Sequence, residues 1–279
     1  MGRSIFQFFI YSNLFIAGCA IAMVSQTYTF LLHTTINWYF TGFVFFSTLC
    51  SYSFHWYLTV NSVIPSPRIQ WVQKNRNIHL IFFIIGIVGA GILLFYLLPY
   101  WHLLLLSAII TFLYSAPKIP HPWFRALRKI ALGKTIFLAA VWMNVTTLLP
   151  ILIAGHTWQP DFTLFILSRF FLIYAICILF DYRDRADDKA AGIRSLITYL
   201  SEKGITYVFC FSLLVFALST AGLCYYDYPV FAIALLFIPG IITAALYNYA
   251  RKNFSDMFYY FILDGLMALS SLLLFIPGI

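Results

Sequence analysis

The chain has 279 residues, a mass of 32.1 kDa and a formal net charge of +8. It is 62% hydrophobic and 9% charged, against about 45–50% and about 25% in an average soluble domain. So few charges cannot cover a water-soluble surface in a chain with 30 Phe and 19 Tyr, which excludes a secreted soluble domain, a disordered chain and a nucleic-acid-binding domain and leaves a polytopic membrane protein.

A membrane-spanning helix needs about 20 largely apolar residues. The first such run, 5–31, stays apolar for a dozen residues past Cys19, so Ile16-Ala17-Gly18-Cys19 reads as part of a helix rather than as a cleavage site. A second run, 36–60, is closed by Pro65 and Pro67. The third and fourth, 78–98 and 101–117, are separated by Pro99, and Pro117 and Pro120 end the fourth. The fifth covers 135–154, the sixth 162–181 after Pro160, and the seventh 205–226. The eighth, 229–250, can begin at Pro229, and the ninth covers 257–277.

Basic residues give the orientation, because cytoplasmic loops collect Lys and Arg. With the amino terminus inside, Arg3, Arg68, Lys74, Arg76, Lys118, Arg125, Arg128, Lys129 and Lys134 all fall on the cytosolic side. So do Arg183, Arg185, Lys189, Arg194, Lys203, Arg251 and Lys252; only Arg169 lies within a run. The expected cytosolic loops are about 61–77, 118–134, 182–204 and 251–256, with the carboxyl terminus outside. The positive net charge is then a topology signal and an attraction to anionic lipid, not a sign of nucleic acid. The five cysteines fall in the runs and read as small packing residues, and Gly86, Gly89 and Gly91 suggest close helix contact.

Carboxylates are distributed unevenly. Residues 1–160 contain no Asp or Glu, whereas Asp181, Asp184, Asp187 and Asp188 crowd together at the end of the sixth run. In a continuing helix Asp181, Asp184 and Asp188 fall within about 60° of one another, on one face. Three carboxylates in line repel unless a cation intervenes, and hard oxygen donors favour Mg²⁺, which binds substrate phosphates through one or two carboxylates. The interleaved Arg183, Arg185, Lys189 and Arg194 suit phosphate oxygens. The same stretch also reads as a solvated loop of mixed charge. Intramembrane Arg169 reads as a hydrogen-bond hub, and Asp264 lies near the cytosolic end of the ninth run.

Asp181-x-x-Asp184-x-x-x-Asp188 followed by Ala190-Ala191-Gly192-Ile193-Arg194-Ser195-Leu196 resembles the second aspartate-rich motif of UbiA-type membrane prenyltransferases. Tyr114-Ser115-Ala116-Pro117-Lys118 and Lys134 resemble the family's tyrosine-proline-lysine segment, and Asp264-Gly265-Leu266 fits its last helix. The resemblance implies an all-α, nine-span, single-domain bundle over 1–279 around a membrane-embedded cavity, in an inner or cytoplasmic membrane. It implies Mg²⁺-assisted transfer of a prenyl group from an isoprenyl diphosphate to an aromatic or other lipophilic acceptor. Asp181, Asp184 and Asp188 are then the catalytic and metal-holding residues. His55, Arg68, Tyr114, Lys118, Lys134, Arg194 and Asp264 are the expected substrate-binding set.

The chain departs from the family at the first motif. Tyr52-Ser53-Phe54-His55-Trp56-Tyr57-Leu58-Thr59 stands where the family has an Asn and two or more Asp. This departure carries the alternative reading, a non-catalytic relative that binds a lipid phosphate or scaffolds other membrane enzymes.

Overall fold

The computed structural model describes residues 2–59, 66–115, 134–190 and 196–275. Every regular element among them is helical. In chain order they are α1 (Gly2–Tyr11), α2 (Leu14–Gln26), α3 (Trp38–Leu58), α4 (Pro67–Lys74), α5 (Arg76–Leu94) and α6 (Trp101–Ser115). After residue 133 come α7 (Lys134–Met143), α8 (Leu149–Ala154), α9 (Pro160–Ala190), α10 (Leu196–Tyr199), α11 (Glu202–Gly222), α12 (Val230–Ala250) and α13 (Asp264–Leu274). Among the described residues six stretches are long and apolar enough to cross a membrane: Leu14–Leu31, Arg76–Leu113, Lys134–Ala154, Pro160–Ala186, Glu202–Tyr225 and Val230–Ala250. Phe258–Leu274 is a shorter apolar helix.

Local chemistry accounts for the breaks. Asn13 adopts the left-handed conformation (φ 71°) that an amide side chain tolerates. It divides the first apolar run into α1 and α2, where the sequence suggested one helix. Asn37 caps α3 by accepting from the Phe40 N–H at 3.1 Å, and Ser66 with Pro67 starts α4. Pro99 does not interrupt the helical path between α5 and α6. It sits in a 3₁₀ segment, Phe95–Tyr100. Gly155 (φ 69°) ends α8 in the left-handed cap favoured by glycine.

Helices α2 and α9 form the centre. Each spanning stretch is 67% buried, against 11% for Arg76–Leu113 at the rim. Ile173, Ala175, Ile176, Ile178 and Leu179 are sealed on all sides of α9, as expected of a helix that is apolar all round. Its 31 residues extend roughly 46 Å, well past a hydrocarbon core about 30 Å thick. A helix of that length can carry its acid-bearing end to the membrane boundary.

Helices α3 and α5 approach most closely at glycine. A Cβ on Gly86 would lie 2.7 Å from that of Cys50 and 2.8 Å from its backbone, and one on Gly89 would meet the Phe46 ring at 2.5 Å. Gly91 has open space around it, so it takes no part in this contact. The expectation for the cysteines holds for Cys19 and Cys177, which are buried. Cys210 and Cys224 are exposed on the outer surfaces of their helices instead.

Three π-helical segments, Thr27–Leu31, Asn144–Leu148 and Phe258–Leu263, extend α2, join α7 to α8, and precede α13. Such segments disturb the regular ladder and free carbonyls for other partners. Arg169 uses one of them, the Thr146 carbonyl, together with groups on α2. Its guanidinium donates to the Met23 carbonyl at 2.9 Å, the Thr146 carbonyl at 3.3 Å and the Gln26 side-chain oxygen at 2.5 Å. Ser271 also donates to Gln26, at 2.8 Å. Arg169 is thus a hydrogen-bond hub tying α2, the segment after α7, α9 and α13 together.

Candidate active site at the acid-bearing end of the bundle

Helix α9 carries the three aspartates as a row one turn apart. Asp181 is 3% exposed and Asp188 4%, whereas the Asp184 side chain keeps 38%. Their partners come from the start of α7. The Lys134 ammonium lies 3.3 Å from Asp184 Oδ2 and 3.4 Å from Asp188 Oδ1. The neighbouring Thr135 hydroxyl donates to Asp181 Oδ2 at 2.5 Å. A cation bridging two carboxylates removes the repulsion that the bare row would suffer.

The opposite flank of α9 builds a second polar centre. Arg183 pairs with Asp256 Oδ1 at 2.5 Å, and both side chains are nearly sealed. It also donates to the Tyr260 hydroxyl. The other Asp256 oxygen accepts from the Arg68 backbone N–H at 2.7 Å. The Arg68 guanidinium lies 4.1 Å from the Trp56 ring centre and 3.8 Å from that of Tyr260, clasped between two aromatic faces. Its Nη2 donates to Asn13 Oδ1 at 2.8 Å. Asn13 in turn donates to Ser53 of α3 at 3.3 Å and contacts His79 Nδ1 at 3.4 Å. Burial lowers the Arg68 pKa from its ordinary value against the pull of Tyr260, Asp264 and Asp256.

Asp264, at the start of α13, feels the charges of both Arg68 and Arg183. Asp184 likewise acts on Arg183. Acids and bases therefore alternate across the mouth of the bundle, from Asp188 and Lys134 through Asp184 and Arg183 to Asp256, Arg68 and Asp264.

Among the residues expected from sequence, the structure brings together Asp181, Asp184, Asp188 and Lys134 in one cluster, and Arg68 and Asp264 in the adjoining one. His55 is half-buried, edge-on to Trp56 at 6.3 Å, and its carbonyl accepts from the Thr59 hydroxyl. Lys118, Arg194 and the Tyr114 side chain lie outside the described residues. Sequence reasoning passed over Thr135, Asn13, Trp56, Asp256 and Tyr260. An uncharged residue beside a lysine gave no signal, and the pairing of Asp256 with Arg183 is a tertiary contact 73 positions apart.

The donor set can be tested against a metal. Among the described residues no three His, Cys, Asp or Glu side chains converge to cage an ion. What α9 offers is a row of oxygen donors with a cation already drawn between two of them, the chemistry of a partial site rather than a closed one.

The family comparison agrees with this architecture. The UbiA prenyltransferase family matches residues 57–272, most of the chain and all of the acid-bearing half. The chain belongs to the UbiA prenyltransferase family. It is an integral, multi-pass membrane protein, and the UbiA family implies membrane prenyltransferase activity in general. No curated protein and no solved structure matches the chain.

Proposed function

We propose that this UbiA member transfers a prenyl group from an isoprenyl diphosphate to a lipophilic, aromatic acceptor within the membrane. The observation that carries the reading is the row of Asp181, Asp184 and Asp188 at the membrane boundary, neutralised by Lys134 and supported by Thr135. Asp184 and Asp188 would hold one Mg²⁺ whose remaining ligands are water and substrate phosphate, with Asp181 behind them. Bound there, Mg²⁺ supplies charge neutralisation of the leaving diphosphate.

The chain's own residues do the rest. Lys134 and, in this reading, Lys118 and Arg194 hold phosphate oxygens, and Tyr114 and His55 border the donor. The allylic C–O bond breaks with its electron pair leaving on the diphosphate. The acceptor atom then bonds to the prenyl carbon and gives up its proton. Asp264 is the group we assign to receive that proton, because no described side chain engages its carboxylate in a hydrogen bond or ion pair. Phe180 packs ring against ring with Tyr259 and Tyr260, and these rings supply π-faces for a developing carbocation. Nine crossings in one domain, with the amino terminus in the cytosol and the carboxyl terminus outside, complete the proposal.

The test is release of diphosphate by the purified protein in lipid nanodiscs, with Mg²⁺ and donors of increasing chain length. We expect release with at least one donor and a prenylated acceptor by mass. Binding of donors without turnover of any would instead support the second reading, a lipid-phosphate-binding relative, which the missing first motif favours.

A further inference from the structure

The half of the mouth that α3 would furnish with carboxylates contains none, since the chain has no acid before residue 161. A buried arginine stands there instead. Arg68 is 3% exposed, and no described carboxylate lies within ion-pair distance of its side chain. Asp256 spends one oxygen on the Arg68 backbone N–H and the other on Arg183. The guanidinium Nε is sealed with no hydrogen-bond partner. Asp264 and Asp256 act on the guanidinium through space, but a buried charged donor left without an acceptor is costly unless one joins it.

Its surroundings hold it ready. Trp56 and Tyr260 clamp the guanidinium plane, and Asn13 fixes one edge. Arg183 lies over the same Tyr260 ring at 4.4 Å, so two guanidiniums flank one aromatic side chain. Trp56 and Asp264 are themselves buried, each at 9% exposure. Planar guanidinium forks suit phosphate oxygens better than any other side chain.

We propose that Arg68, positioned by Trp56, Tyr260 and Asn13 and seconded by Arg183, is a metal-independent binding group for the diphosphate of the substrate, in place of the missing carboxylate–metal half. This rests on the prenyl-diphosphate reading above. It makes the site asymmetric, with acids and Lys134 on one flank and fixed arginines on the other.

The experiment measures binding of inorganic diphosphate to the full chain in nanodiscs by calorimetry, in EDTA and then in Mg²⁺. Wild type should bind in EDTA. Arg68→Gln should lose at least tenfold in affinity there, and Arg68→Lys, which keeps the charge but not the fork, several-fold. Lys252→Gln, an exposed cation outside both clusters, should change binding in EDTA by less than threefold. If Arg68→Gln does not fold, as judged by elution and unliganded melting, Arg68→Lys decides. Binding that appears only with Mg²⁺, or that is unchanged in the variant that folds, overturns the proposal. Farnesyl diphosphate should bind more tightly than inorganic diphosphate, identifying the lipid form as the ligand; tighter binding that survives loss of Arg68 also overturns it. Diphosphate binding in EDTA with no turnover of any donor would leave this inference standing and remove the catalytic reading, whereas turnover with strictly Mg²⁺-dependent binding would do the reverse.

Discussion

Lys134 carries the clearest consequence at the scale of single residues. Its ammonium is shared between Asp184 and Asp188, and hydrogen bonds to charged groups contribute about 1.5–3 kcal/mol each. Lys134→Gln is expected to weaken donor binding by about tenfold, equivalent to about 1.4 kcal/mol. The readout is KM in the prenyl-transfer assay, with Lys134→Arg retaining most of the affinity. Asp256 makes a different kind of contribution, because its pair with Arg183 is buried. Breaking such a pair from one side costs about 3–5 kcal/mol. Asp256→Asn should therefore lower the melting temperature in detergent strongly, and adding Arg183→Met should restore part of the loss. No recovery in the double variant would mean that the pair is not the source of the effect.

The elements explain why these residues meet. Helix α9 brings its acids past the hydrocarbon because it is 31 residues long, and α7 begins where its first two side chains can reach them. The close contact of α3 with α5 holds Trp56 and Ser53 in place, and Gly86 permits it. Gly86→Ala puts a methyl group against Cys50 backbone atoms that cannot swing away. We expect a loss of about 1–3 kcal/mol, the usual range for overpacking, measured as lowered thermal stability. Arg169 acts between elements without touching the acids. Replacing it by Leu removes a charged donor from Gln26 and two carbonyls that keep a second donor in Ser271 or Thr27, at a cost of about 1.5–3 kcal/mol, the contribution of a hydrogen bond to a charged group. Its signature is reduced stability with donor KM unchanged in the protein that folds. A raised KM would instead assign Arg169 to the substrate.

At the scale of the whole molecule, much of the design is readable from the sequence, and the unreadable part has a physical cause. Hydropathy and proline positions outline the helices, because the bilayer imposes both length and polarity on each segment. They do not reveal the break at Asn13, which depends on one left-handed residue inside an apolar run. The spacing of Asp181, Asp184 and Asp188 predicts a shared face because helix periodicity is local. The second centre was hidden, since Arg68, Asp256, Tyr260 and Asn13 come from four separated segments that only folding unites. The distribution of basic residues predicts topology as well. With Cys210 and Cys224 replaced by Ser, Thr157→Cys should react with a membrane-impermeant thiol reagent in intact cells and Lys189→Cys only after the membrane is permeabilised; the opposite pattern would invert the proposed orientation. The central claim, that the acids at the end of α9 operate on a prenyl diphosphate, is tested most directly by diphosphate release from the Asp181→Ala/Asp184→Ala double variant beside wild type. We predict steady release by wild type and a loss of at least a hundredfold in the variant. Equal rates in the two would contradict the account.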